Sequence, residues 1–76
     1  MPEKYFRIGI STACKVNEHL FKGEGKKVSI DDFLSKVQQE SGKIPIPVFS
    51  EESANLYKKS QLYGIYRVED GMVHQF

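Results

Sequence analysis

Few side chains in this 76-residue sequence could do chemistry, and their spacing does not favour it. Cys14, His19 and His74 are its only thiol and imidazole groups. A structural metal centre needs three or four such ligands in convergent spacing, so no metal and no cofactor is expected. Cys14 and His19 stand five positions apart, about 140° on a helix and on opposite faces of a strand, which rules out a thiolate pair. Cys14 reads as a small buried apolar side chain. Ser11, in Gly9-Ile10-Ser11-Thr12-Ala13, lies where a G-x-S-x-G elbow would present a nucleophile, but the last glycine is missing. Asp70 and His74 follow in the order Ser, Asp, His. A triad also needs an oxyanion hole and a substrate pocket, for which so short a chain has little room. No catalytic residue is expected, and Ser11 or Thr12 is assigned the role of a helix cap.

Gly23-Glu24-Gly25-Lys26-Lys27 has the glycines and lysines of a phosphate loop but not its length, nor a hydroxyl after the lysine. These residues are expected to form a turn. Gly64-Ile65-Tyr66 matches the first half of a GIY-YIG nuclease signature; the second half and its arginine helix do not follow. One stretch does invite a binding role. From Tyr57 to Arg67 aromatic and basic residues interleave, with Tyr57, Lys58, Lys59, Tyr63, Tyr66 and Arg67 as the candidate partner-binding residues. Tyr and Arg are enriched at protein hot spots, whereas tyrosines stacking on bases beside lysines on phosphates would suit a single nucleic-acid strand. In the plainer alternative the three tyrosines cover the core and keep their hydroxyls in water.

The elements that must position these residues follow from pattern. Tyr5 to Ile10 alternates, with Phe6, Ile8 and Ile10 on one face, as in a half-buried strand. Residues 13–22 fit helical spacing through Ala13, Val16, Leu20 and Phe21, with Glu18 placed to pair with Lys22 and Gly23 placed to stop the helix; a strand is the alternative. Ser29 caps a helix from about Ile30 to Glu40, with Val28 stapling onto Phe33, an apolar stripe at Ile30, Phe33, Leu34 and Val37, and Asp32 pairing with Lys36. Ile44, Ile46 and Val48 alternate with Pro45 and Pro47, which strip donors from one side and mark an edge strand. Ser50, Glu51 and Glu52 start a third, weakly amphipathic helix with Ala54, Tyr57 and Gln61 on one stripe and Leu56 beside it. Asp70-Gly71 sits between two β-prone runs, the strongest short hairpin signal, and would set Val68 opposite Val73, Arg67 opposite His74 and Ile65 opposite Phe76.

The expected fold is therefore α+β: a mixed four-stranded sheet with two or three helices on one face, in the order β-α-α-β-α-β-β, as a single domain over residues 1–76. Its expected core is Phe6, Ile8, Ile10, Phe33, Leu34, Val37, Ile46, Val48, Leu56 and Val68. If residues 13–22 were a strand, the capped helix from Ser29 to Gly42 would be similar to that of a β-grasp domain such as ubiquitin, without the diglycine tail.

Composition bounds the function. Leu, Ile, Val and Phe supply 21 of the 76 residues, enough to fold. A chain of this length buries only about 60% of its unfolded surface, which leaves one thin core and no deep cleft. Eleven basic against ten acidic side chains give a net charge of +1, too balanced for binding that rests on neutralising phosphates or anionic lipid. One cysteine and no signal-like apolar stretch after Met1-Pro2-Glu3-Lys4 point to a reducing, cytoplasmic setting and no membrane partner. The expectation is a small non-enzymatic protein-binding or regulatory module, of the kind a virus or mobile element uses as an inhibitor. Its partner could also add a strand to a sheet edge. The alternative is a small nucleic-acid binder for single strands or RNA, whose element order resembles that of Alba-type domains if the two early helices count as one layer.

Overall fold

A computed structural model describes residues 5–23 and 25–76. The expectations placed on Met1 to Lys4, and on Glu24 within its turn, lie outside those residues. The chain runs β1 (Tyr5–Gly9), α1 (Ile10–Leu20), β2 (Val28–Ser29), α2 (Ile30–Ser41), β3 (Ile46–Val48), α3 (Glu51–Ser60), β4 (Tyr63–Glu69) and β5 (Met72–Gln75). The fold is α+β, and the sheet has five strands rather than four, in the order β2-β5-β4-β1-β3. Every pairing is antiparallel, so the sheet is not mixed. The extra strand, β2, has two residues, too few to show a period. Its pairing with β5 and the Ile30 N–H bond to the Gly71 carbonyl at 3.0 Å define it.

Residues 13–22 lie mostly in a helix, which removes the β-grasp alternative. The helix starts three residues earlier, at Ile10, and its N-cap is Gly9, with no side-chain cap from Ser11 or Thr12. It ends at Leu20, before both Lys22 and Gly23, with Phe21 as C-cap. The next helix starts as its sequence requires. The Asp32 N–H bonds to Ser29 Oγ at 3.2 Å, and Gly42 closes the other end in the left-handed region at φ 71°. Lys36 pairs with Glu40 at 3.2 Å instead of with Asp32. Ser29→Ala is expected to lower stability by about 1 kcal/mol with the fold intact, as read by urea denaturation.

Strand alternation divides the core in two. Phe6 and Ile8 of β1, Tyr66 and Val68 of β4 and Val73 of β5 face α1 and α2, where they meet Ala13, Val16, Phe33 and Val37. Tyr5, Ile65 and Val48 face the other way and pack with Ala54 and Tyr57 of α3. The helices thus cover both faces of the sheet, not one. With α3 opposite, strands β1 and β4 are covered on both sides, which is why Ile65 is as deeply buried as Ile8.

Three expected core residues are exposed for local reasons: Ile10 has left the strand for the first turn of α1, Ile46 lies on the sheet edge, and Leu56 points away from the Ala54–Tyr57 stripe. Cys14 is exposed too, because Ala13 and Val16 hold the inward stripe of α1.

The hairpin forms as its sequence predicts. Asp70 and Gly71 have φ of 55° and 75°, the two left-handed residues of a type I′ turn. Val68 faces Val73 and Arg67 faces His74, and the Phe76 N–H bonds to the Ile65 carbonyl at 3.0 Å.

Candidate functional site

That last bond fixes which way each backbone group points. Ile65 bonds toward β5, so its neighbours Gly64 and Tyr66 bond toward β1. Phe6 and Ile8 therefore bond toward β4, and Tyr5 and Arg7 toward β3, where they meet Val48 and Ile46. Pro47 is left pointing outward from β3, with a carbonyl and no N–H. A partner strand could not complete a ladder here. The opposite edge, β2, is two residues long, so strand addition is poorly served at either edge.

The six candidate residues do not form one surface. Tyr66 is 1% exposed and faces α1 and α2; its ring packs on Phe33 at 4.8 Å and Phe21 at 5.3 Å. Its hydroxyl donates to Asn17 Oδ1 at 2.5 Å. Burial, with a smaller repulsion from Cys14, pushes the Tyr66 hydroxyl well above its ordinary pKa, against the Asn17 hydrogen bond, which lowers it. Tyr66 is thus a core residue and is removed from the partner-binding set. Because its pKa is raised on folding, the stabilisation is complete below the unfolded value near 10 and is lost as pH rises above it. Stability is expected to fall by up to about 1.4 kcal/mol per pH unit more steeply above pH 10 in the wild type than in Tyr66→Phe, measured by urea denaturation from pH 9 to 11.

Tyr57 and Tyr63 lie on the α3 face. Both pack on a residue that sequence reasoning missed, Arg7, whose guanidinium carbon stands 4.6 Å from each ring centroid. The two rings meet edge to face at 5.3 Å. Arg7 is half-buried, and its Nε is buried with no hydrogen-bond partner. Among the described residues no acidic side chain pairs with it. In the sequence Arg7 sits on the polar side of β1 with Tyr5 and Gly9; a helix covering that side would have signalled that the charge needs company.

Lys58 reaches over the Phe76 ring at 5.0 Å, and Lys59 is exposed on α3. Arg67 is exposed on the sheet opposite His74, which lies 3.8 Å from Glu69.

A more coherent surface lies along β3. Ile44, Ile46 and Phe49 are 73%, 50% and 77% exposed, with Leu56 of α3 also exposed. Hollows flank the strand on both sides. On the α3 side, about 340 Å³ is lined by Pro47, Val48, Phe49, Ser50, Ser53 and Tyr57. On the other side, about 270 Å³ lies among residues that include Thr12, Val37, Lys43, Ile44 and Ile46. Sequence reasoning passed over Phe49, whose one signal was that of a large apolar residue belonging to no stripe.

Nothing assembles a reaction centre from the Ser11, Asp70 and His74 series. Ser11 follows Gly9, which pairs with Tyr63 at the start of β4, whereas Asp70 lies past the other end of that strand, about 20 Å away. Among the described residues no three His, Cys, Asp or Glu side chains converge as metal ligands, and no helix is long and apolar enough to cross a membrane. No protein-family model, curated protein or solved structure matches the chain.

Proposed function

We propose that this protein is a non-enzymatic protein-binding module, with a regulatory or inhibitory role, which holds its partner through the side chains of the β3 edge. The observation that carries this reading is the run of exposed apolar side chains at Ile44, Ile46 and Phe49, on and beside β3, whose outward Pro47 discourages pairing with another sheet. Apolar side chains concentrated along one edge are the usual mark of an interaction surface. Shallow hollows on both sides offer places for a partner's side chains. Of the Tyr57–Arg67 stretch, Tyr57 adjoins this surface, while Tyr63 supports it through Arg7.

A nucleic-acid role draws on one observation: Arg67 and His74 lie side by side on the sheet, and Tyr5 is opposite Arg67 on the neighbouring strand. Tyr57 and Tyr63 are already packed on Arg7 and Tyr66 is buried, which leaves few rings to stack on bases.

Two assays separate the readings. Crosslinking in cells of the source should capture a protein with the wild type and lose it with Phe49→Ser plus Ile44→Ser, while Lys59→Ala retains it. Anisotropy of labelled single- and double-stranded DNA and RNA near 200 mM salt should show no binding. Tight nucleic-acid binding lost on Arg67→Ala would replace the protein reading.

A further inference from the structure

We infer that the segment bound at the β3 edge is an apolar one carrying a carboxylate, and that the carboxylate lies toward Arg7 and Lys43; this rests on the protein-binding reading above. The two ends of the edge differ in charge. β3 leads through Ser50 into α3, which runs back along it and delivers the chain to Tyr63, the partner of Gly9. Glu51 and Glu52 therefore stand at the Phe49 end. Lys43 and Arg7 stand at the Ile44–Ile46 end. The acid of α2 nearest that end, Glu40, is already paired with Lys36.

Arg7 makes this asymmetry specific. It lies directly across from Ile46, fixed by the two tyrosine rings, and has no acidic partner among the described residues. A guanidinium fixed in place loses little entropy when a carboxylate arrives, and its planar fork is suited to that group. Apolar contacts to Ile44 and Ile46 would shield the pair from water and strengthen it. Glu51 and Glu52 disfavour the reverse orientation, so the segment is read in one direction.

The test is a displayed random dodecapeptide library selected against the full chain. Selected peptides should combine apolar residues with Asp or Glu. By fluorescence polarisation, the Asp→Asn or Glu→Gln version of the best peptide should bind about tenfold more weakly to the wild type. That difference should vanish with Arg7→Gln. If Arg7→Gln proves unfolded by circular dichroism, Lys43→Glu at an exposed position should shrink the difference instead.

Apolar peptides with no acid, competing at Phe49 and Ile46, would overturn this inference and leave the protein-binding reading standing. An empty selection, or peptides indifferent to Phe49→Ser and Ile46→Ser, would overturn both. A dimer in sedimentation velocity, dissociated by Phe49→Ser, would make a second copy of the chain the occupant and overturn the acidic-segment assignment.

Discussion

Phe33→Ala is expected to remove a large share of the protein's stability, about 3–5 kcal/mol. Phe33 is fully buried and joins α2 to the rest of the aromatic core, with ring centroids 5.7 Å from Phe6, 6.4 Å from Phe21 and 4.8 Å from Tyr66. Truncating a buried phenylalanine costs about 3–5 kcal/mol, from lost transfer energy and the cavity left behind. A chain of this length is stable by roughly 4–11 kcal/mol in total, so one substitution removes a large share of it. Far-ultraviolet circular dichroism with urea denaturation reads the result. A variant that unfolds within about 1 kcal/mol of the wild type would show that this cluster is not the core of the fold.

Gly64→Val comes second, for the opposite reason. Gly64 faces α1, and a Cβ placed there would overlap Ala13 Cβ and crowd the Tyr66 ring. Neither neighbour can yield easily, since Ala13 has no side-chain torsion to adjust and Tyr66 is held by Asn17. Overpacking of this kind costs about 1–3 kcal/mol and more when backbones must part. Gly64→Ala should show the lower end of that range and Gly64→Val the upper end or unfolding. Ala13→Gly removes the opposing methyl at a helix cost of about 1 kcal/mol. Combined with Gly64→Ala it should therefore destabilise less than the two single changes added together, a coupling that a double-mutant cycle measures. Strict additivity would mean that α1 does not approach the sheet this closely.

These two positions also show where sequence reasoning stops. Phe33 was legible, because it recurs at helical spacing after a capping serine. Gly64 carried no such mark, since its need for a missing side chain comes from a helix packed across the sheet. The same division runs through the site. Tyr57 and Tyr63 were identified as residues of one surface, and they do share a face. Tyr66 was grouped with them by proximity in sequence, but strand alternation turns it to the other face and into the core. Arg7 was passed over because the helix that covers it, α3, was expected on the opposite side of the sheet.

By itself the sequence determined the local elements: a strand starting at Tyr5, the helix capped by Ser29, the proline-marked edge, the helix capped by Ser50 and the Asp70–Gly71 hairpin with its register. Each rests on interactions among residues close in the chain, where caps, turn conformations and side-chain periods act. Only the tertiary structure decided that α3 crosses to the second face, that Val28–Ser29 adds a fifth strand, and that Ile44, Ile46 and Phe49 stay exposed while Tyr66 is buried. Those outcomes depend on which faces meet, and the single apolar stripe and caps of a helix do not say which side of the sheet that stripe will cover.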